Sequence, residues 1–465
     1  MSAGLRFAVM VTALVAVFTV AMHTPILLRP PTNADELIYL RLALSMSEGS
    51  GYTLQGSRIL SSLPPEMYDH ALFNHPPGFP WLLMPFVATG FARWTVILSL
   101  AAHLACAAAV VLLGYRFLLK YDDSLWRRML FGIVTMAAFL DPILSFCSRR
   151  VWMDNILAAW VAWAFVGVFL LRSSKPFAAL ILASLCMAAA VGTKLLMLVF
   201  LPPLALAVFL LSPGTVSVPP ASSWSLAYGN FSKSANKLRL RNVLLFVIPA
   251  LVVFAIWEAI FFQSTGEWFP KWLAIPTDVL AQKQFLAGRQ DQPFLYFPAK
   301  WLLLSPLTTL VIPAALYVLL RKKDPTQSST HAIASSAPSP HAPSPWITFF
   351  LGSTKTSPRP LLIFPLLATA IYLIVLVSLG AAGFSKEARY LSPIMPLLTM
   401  TLVGVFAFLA EDGGRSHCLK PQIFVLACLL AILSGAMLSG FYLFAVQFDE
   451  PLSWWGLIDS MMGNL

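Results

Sequence analysis

Apolar residues fill long blocks of this chain, and short polar or charged segments separate the blocks. A helix needs about 20 mostly apolar residues to cross the hydrocarbon core of a bilayer. The pattern therefore predicts an all-α polytopic membrane protein with about eleven transmembrane helices. These are predicted at Phe7–Leu28, Trp94–Gly114, Leu130–Cys147, Asn155–Leu171, Pro176–Gly192, Leu195–Leu211, Asn242–Phe262, Trp301–Leu320, Pro360–Ala382, Tyr390–Ala410 and Pro421–Val446.

Two shorter helices are predicted in the loop that follows the first span. The block at 77–92 is apolar but short, and two prolines interrupt it, so it is predicted to lie at the interface or partly buried. Earlier in the loop, apolar residues at Leu37, Leu40 and Leu44 have the spacing of a short amphipathic helix. The loop at 29–93 is therefore predicted to carry interfacial helices.

Lysine and arginine predict the orientation, because they are enriched in cytosolic loops. With the N-terminus in the cytosol, 18 of the 31 Lys and Arg residues fall in cytosolic segments, and the C-terminus lies outside. The chain then forms one transmembrane domain, 1–465. Its long loops are 29–93 and 263–300 outside, and 212–241 and 321–359 in the cytosol. The last of these contains a Ser/Pro-rich run and is predicted to be partly disordered.

The composition agrees with a membrane protein. The 465 residues are 58% hydrophobic and 11% charged, whereas soluble proteins are about 25% charged and disordered chains are poor in apolar residues. The net charge of +11 comes from clusters at the ends of spans, so we predict no nucleic-acid partner. The five cysteines contain no CxxC pair, which argues against a disulfide framework and a zinc motif.

Two acidic residues, Asp35 and Glu36, follow the first span. One interpretation is structural, because Thr32 and Asp35 fit a capping box and acids in a first turn favour the helix dipole. The other is catalytic, because a carboxylate at the membrane surface can take a proton from an attacking hydroxyl or amine. The sequence leaves both interpretations open.

The first outer loop ends in Asn74-His75-Pro76-Pro77-Gly78. The prolines restrict the backbone and fix the direction in which His75 points. His75 is interpreted either as a structural histidine at the interface or as a ligand of a substrate.

Between the third and fourth spans, Arg149, Arg150 and Asp154 lie on the predicted outer side. They form either an interfacial ion pair with snorkelling arginines or part of a polar site. Asp141 lies inside a predicted span, where an ionisable group usually faces the bundle interior. The Asp141-Pro142 pair alternatively marks a helix break.

Three further cations lie on the same predicted face. Lys194 lies in a tight turn between two spans, where it either contacts a phosphate or snorkels. Lys386 and Arg389 flank Glu387 in an outer segment, against the bias of positive charge toward the cytosol. A bound anion accounts for these two cations, and so does a salt bridge from Glu387.

Taken together, these segments resemble the dolichyl- and polyprenyl-phosphate-sugar glycosyltransferases of the GT-C fold, in the superfamily of protein O-mannosyltransferases and aminoarabinose transferases. Five motifs carry the resemblance, in the order of that superfamily and on one predicted face. They are Asp35-Glu36, His75-Pro76-Pro77-Gly78, Arg149…Asp154, Thr193-Lys194 and Arg389-Tyr390-Leu391-x-Pro393-x-x-Pro396. The chain departs from the pattern at His75, where a lysine is common.

The resemblance implies an enzyme that moves a sugar from a polyprenyl-phosphate carrier to a lipid, glycan or protein acceptor on the non-cytosolic face. It implies an inverting single displacement with Asp35 as base and with Glu36 and Asp154 as further catalytic carboxylates. The resemblance implies no definite cofactor, and it is compatible with a divalent cation that bridges carboxylate and phosphate. The substrate-binding residues that it implies are His75, Arg149, Arg150, Lys194, Lys386, Arg389 and Tyr390.

The absence of a large soluble domain after the last span favours a bacterial inner membrane over the endoplasmic reticulum. A transporter or flippase of a lipid-linked or anionic solute is the main alternative, because many spans with outer charges fit it too. No internal repeat is evident, however, and the ionisable residues gather on one face, which is unlike many transporters. A catalytically inactive scaffold is a second alternative.

Overall fold

The computed structural model describes residues 2–27, 31, 34–54, 75–120, 124–173, 175–212, 224–266, 295–320, 358–381, 386–411 and 421–444. Helices dominate this part of the chain, which contains no β-strand. Thr32 of the predicted capping box lies outside the described residues, as do most of the predicted loops 263–300 and 321–359. The predicted cytosolic loop 212–241 is helical from Trp224 onward.

The described residues form fifteen α-helices. They are α1 Ala3–Leu27, α2 Ala34–Ser47, α3 Gly78–Ala88, α4 Val96–Gly114, α5 Leu125–Phe139, α6 Pro142–Ser148, α7 Asp154–Phe169, α8 Pro176–Thr193, α9 Leu201–Leu211, α10 Trp224–Thr265, α11 Tyr296–Leu304, α12 Pro306–Leu320, α13 Arg359–Ala381, α14 Met395–Glu411 and α15 Pro421–Phe444. Short 3-10 segments lie at Ala92–Trp94, Leu170–Arg172, Leu195–Phe200 and Ala388–Ile394, and a π-helical turn at Tyr115–Leu119.

Nine helical segments of the described chain are long and apolar enough to cross a bilayer, and the pair α11 and α12, bent by 101° at a one-residue break, makes a tenth. The remaining predicted span, Leu195–Leu211, consists of a six-residue 3-10 segment followed by α9. The prediction of an all-α membrane protein is therefore confirmed.

The spans divide into central and peripheral helices. In Leu125–Ser148 and in Ala388–Glu411, 89% of the residues in an apolar 18-residue stretch are buried inside the protein, whereas the corresponding share in α1 is 11%. The outer faces of α1 and α10 expose apolar side chains such as Leu14 and Ile256. Lipid tails are as apolar as these side chains, so their exposure within a bilayer carries no hydrophobic penalty.

The helix break predicted at Asp141 is present. The carboxylate Oδ1 of Asp141 accepts hydrogen bonds from the backbone N–H groups of Ile143 (3.0 Å) and Leu144 (2.9 Å), and Pro142 occupies the first turn of α6. Asp141 is therefore the N-cap of α6. It gives the chain a corner that leads directly to the Arg149–Asp154 turn.

Helices α2 and α3, predicted from the first outer loop, are both present and pack against each other. The ring of Tyr39 meets the ring of Phe79 edge to face, with 5.1 Å between centroids. Leu42 and Ala43 of α2 are fully buried. This packing fixes the start of α2, where Asp35 and Glu36 lie in the first turn.

Candidate active site

Six of the ten residues singled out from the sequence line one cavity of about 120 Å³ at one end of the bundle. The cavity forms where the starts of α2 and α7 meet the turn after α8 and the 3-10 segment Ala388–Ile394. A space of this size holds several water molecules or a phosphate-sized group. The six residues are Asp35, His75, Asp154, Lys194, Arg389 and Tyr390.

Arg389 is the most heavily engaged cation of the cavity. Its Nη2 pairs with Oδ2 of Asp35, and its Nε lies 2.5 Å from Oε2 of Glu387. The guanidinium also stacks 4.6 Å from the ring centre of Trp152, within the range of a cation–π contact. Asp35 and Arg389, which are remote in sequence, are therefore direct neighbours.

Lys194 provides the second cation of the cavity. Its Nζ lies 4.3 Å from the centre of the Tyr390 ring, a cation–π contact. Burial lowers the pKa of the Lys194 ammonium, and the carboxylate of Asp154 opposes that shift. The cavity thus combines two cations with two carboxylates.

His75 enters the cavity as a neutral imidazole. Burial, together with the charge of Lys194, lowers the pKa of His75 to about 4. At neutral pH the ring therefore carries one N–H donor and one acceptor nitrogen rather than a positive charge. In the superfamily that the sequence resembles, a lysine is common at this position. A lysine would act as a point charge, whereas His75 offers hydrogen bonds.

Close backbone packing places His75 beside Lys194. Gly78 lies against the turn after α8, where a Cβ on Gly78 would come within 2.5 Å of the Gly192 carbonyl oxygen and 3.0 Å of the Thr193 hydroxyl. Only glycine permits this approach without a shift of backbone. The last residue of the His75-Pro76-Pro77-Gly78 motif therefore has a steric role.

Tyr39 also lines this cavity. Burial, and to a smaller degree the charge of Asp35, raises the pKa of Tyr39 well above its usual value. The phenol therefore stays protonated at all physiological pH values. Sequence reasoning missed it, although it lies four residues after Asp35 and hence on the same face of α2.

Glu36 points away from the cavity lining and ties α2 to the α6–α7 turn. Its Oε2 lies 3.3 Å from Nη1 of Arg150, and its Oε1 accepts a hydrogen bond of 2.8 Å from the backbone N–H of Val151. Both charged side chains are buried. The pair joins the helix that carries Asp35 to the turn that carries Asp154.

Three other cations singled out from the sequence also lie outside the cavity lining. Arg149 is buried, with its guanidinium 4.0 Å from the centre of the Phe146 ring. Arg150 pairs with Glu36. The side chain of Lys386 is buried against Gly380.

Hydrogen bonds between elements hold the backbone around Asp154 and Arg389. The hydroxyl of Ser392 donates to the carbonyl of Asp154 (2.9 Å), and the hydroxyl of Tyr372 donates to the carbonyl of Tyr390 (2.9 Å). These contacts tie the 3-10 segment to α7 and α13. Neither Ser392 nor Tyr372 carries a sequence signal that distinguishes it from an ordinary polar residue of a span.

The described residues contain no group of three or more His, Cys, Asp or Glu side chains placed to hold a metal ion. The two carboxylates that line the cavity, Asp35 and Asp154, are accompanied by Lys194 and Arg389, whose charges would repel a cation. This set of side chains does not fit a divalent cation.

No protein-family model and no curated protein matches the chain. Among solved structures, the chain is similar to ArnT from Cupriavidus metallidurans in the apo state, with 14% identity and a TM-score of 0.45 over 96% of this chain and 76% of ArnT. It is also similar to the archaeal oligosaccharyltransferase AglB from Archaeoglobus fulgidus, in complex with an inhibitory peptide and a dolichol-phosphate, with 13% identity and a TM-score of 0.46 over 96% of this chain and 56% of AglB.

The chain therefore spans little more than half the length of AglB. With TM-scores below 0.5, neither similarity bears on the chemistry of the cavity.

Proposed function

We propose that the chain is a membrane glycosyltransferase that moves a sugar from a polyprenyl-phosphate carrier to an acceptor on the non-cytosolic face. The observation that carries this proposal is the convergence of separate segments on one small cavity. The side chains that meet there are two carboxylates (Asp35, Asp154), two cations (Lys194, Arg389) and a neutral imidazole (His75).

The two cations suit a phosphate. A phosphate diester carries one negative charge, and guanidinium and ammonium groups are its usual partners in proteins. Arg389 and Lys194 would therefore hold the phosphate of the donor, while its polyprenyl tail lies along the apolar faces of the surrounding spans. This places the sugar at the mouth of the cavity.

Asp35 is the best-placed proton acceptor. With a side chain 35% exposed, it is accessible to an acceptor that approaches from outside the bundle. In the proposed step the acceptor oxygen or nitrogen bonds to the anomeric carbon, the bond from that carbon to the phosphate oxygen breaks, and the proton of the acceptor passes to Asp35. The leaving polyprenyl phosphate takes the bonding electron pair, and a single displacement inverts the anomeric centre.

The remaining polar groups have supporting roles. Asp154 is the buried carboxylate near both cations and balances their charge. His75 and Tyr39 offer hydrogen bonds to sugar hydroxyls, since both are neutral. Glu36 and Arg150, for which the resemblance implies catalytic and binding roles, are instead proposed to hold α2 in position.

The proposed location follows from the charge pattern of the loops. Cytosolic loops are enriched in Lys and Arg, and this distribution supports a cavity on the non-cytosolic face. The polar lining gathers at the ends of spans. A transporter would be expected to place such groups near the midplane, so the transferase is the better supported of the two functions.

The test is sugar transfer by the purified protein. A panel of radiolabelled undecaprenyl-phosphate sugars is incubated with the protein and with a membrane extract, prepared from cells without this protein, that supplies the acceptor, and transferred label is measured. Asp35→Asn is expected to lower the rate by about 100-fold or more, because general-base catalysis contributes about 10² to 10⁴. Glu48→Gln, at an exposed acid just beyond the other end of α2, is the matched control and should keep the wild-type rate.

Two results would contradict the proposal. One is a near-normal rate in a folded Asp35→Asn variant, which would remove Asp35 from proton transfer. The other is an absence of transfer from every donor of the panel by the wild-type protein, which would favour the transporter or the inactive scaffold.

A further inference from the structure

The guanidinium of Arg389 is held on three sides. Glu387 meets its Nε at 2.5 Å, Asp35 pairs with its Nη2, and the ring of Trp152 lies against its face at 4.6 Å. One cation therefore connects two carboxylates. One of these is the base of the proposed reaction.

The two carboxylates differ in exposure. The side chain of Asp35 is 35% exposed and lines the cavity, whereas those of Glu387 and Arg389 are 11% and 10% exposed. Exposed ion pairs contribute little to stability, while breaking a buried pair is costly. An incoming anion can therefore replace Asp35 at Arg389 much more easily than it can replace Glu387.

The backbone that carries Arg389 is fixed. The Tyr390 carbonyl accepts a hydrogen bond from Tyr372, and Ser392 donates to the Asp154 carbonyl. Asp35, by contrast, lies in the first turn of α2, where backbone N–H groups favour a carboxylate that has lost its partner. A change of partner at Arg389 thus needs only a rotation of the Asp35 side chain.

The charges of the proposed reaction favour such a change. Before transfer, Asp35 and the phosphate diester carry one negative charge each. After transfer, Asp35 is protonated and neutral, and the released polyprenyl phosphate carries two negative charges. Total charge is conserved, and one negative charge has moved from Asp35 to the phosphate. Arg389 stabilises the product best when it has left Asp35 for the phosphate.

We propose that the donor phosphate displaces Asp35 from Arg389, so that the base is released only once the donor is bound, and that Glu387 and Trp152 are positioning residues that hold Arg389 for this exchange. This inference rests on the proposed function. In the absence of donor, a proton placed on Asp35 would break a charge-assisted hydrogen bond to Arg389. The exchange therefore makes the donor bind before the acceptor can react.

The experiment measures binding of undecaprenyl phosphate to the purified full chain, by titration in detergent or nanodiscs. Asp35→Asn and Glu387→Gln each remove one negative charge beside Arg389 and keep the shape of the side chain. If Asp35 competes with phosphate for Arg389, Asp35→Asn should tighten binding by about tenfold. Glu387→Gln should tighten it by no more than about twofold, or weaken it, because the anchor of Arg389 is lost.

If the two substitutions acted only by removing a negative charge near the phosphate, both variants would bind undecaprenyl phosphate more tightly and to the same extent. Equal effects, or unchanged binding by Asp35→Asn, would overturn the exchange and leave the proposed function standing. No measurable binding by the wild-type protein would overturn the proposed function and the exchange with it.

Discussion

Gly78 lies so close to the carbonyl of Gly192 that a single added carbon would come within 2.5 Å of the carbonyl oxygen. This contact joins the end of the first outer loop to the turn after α8. It brings His75 and Lys194 to the same cavity. The site therefore depends on a steric fit between two backbones as well as on its charged groups.

Gly78→Ala is predicted to impair the site directly. The methyl group cannot be accommodated without a backbone shift, and overpacking of this kind costs about 1–3 kcal/mol of stability. A displacement of about 1 Å can lower catalysis by about 100-fold, so sugar transfer should fall by at least tenfold. Gly132→Ala is the control, because a Cβ there meets open space. Equal transfer by both variants would contradict the prediction.

Breaking the buried pair of Glu36 and Arg150 is predicted to destabilise the protein. Loss of one partner leaves an uncompensated buried charge, which costs about 3–5 kcal/mol. Glu36→Gln and Arg150→Met should each lower the midpoint of thermal unfolding strongly. The double variant should be more stable than the sum of the two losses predicts, because no charge is left unpaired. Strictly additive losses in this double-mutant cycle would show that the pair is not coupled.

The neutral His75 predicts a pH dependence of stability. Its pKa is about 4 in the folded protein, below the usual value near 6.5. Above pH 6.5 the ring is neutral in both states and contributes no pH dependence. Between pH 6.5 and 4 only the unfolded chain takes up the proton. The free energy of unfolding therefore decreases as the pH is lowered through this range, by at most about 3 kcal/mol. Thermal unfolding of His75→Gln should be less sensitive to pH across this window, and parallel curves for the two proteins would refute the assignment.

The contact of Lys194 with Tyr390 predicts that two substitutions of Tyr390 differ in their effect on donor binding. Tyr390→Phe keeps an aromatic face beneath the ammonium, whereas Tyr390→Leu removes it. A cation–π contact contributes about 0.5–2 kcal/mol, so Tyr390→Leu should raise the KM for the donor several-fold, and Tyr390→Phe should not. A similar rise in both variants would point to the hydroxyl of Tyr390 rather than to its ring.

Much of the architecture could be predicted because hydrophobic blocks determine membrane spans directly. The same method did not predict the bend between α11 and α12, although Pro306 directly follows the break at Ser305 and a proline disfavours a continuous helix. The hydrophobic pattern also predicted a single transmembrane helix at Leu195–Leu211, although its first six residues form a 3-10 helix. Asp141-Pro142, by contrast, carried a local signal, because an acid followed by proline is a typical start of a helix.

The site was harder to predict, because side-chain direction depends on packing. Asp35 and Glu36 are adjacent and chemically similar, yet the first lines the cavity and the second holds Arg150. Charge pattern identified Arg149 as readily as Arg389, although Arg149 packs against Phe146. The salt bridge from Glu387 is present and is made to Arg389, whereas the alternative, a bound anion at Lys386 and Arg389, stays a prediction.

The most direct measurement is a structure of the full chain with undecaprenyl phosphate bound. Phosphate density is expected within hydrogen-bond distance of Arg389 and Lys194, with the lipid tail leading away between spans. Phosphate bound elsewhere, for example at Arg127 and Arg128 in the first turn of α5, with the Asp35–Arg389 pair intact, would contradict the proposed function.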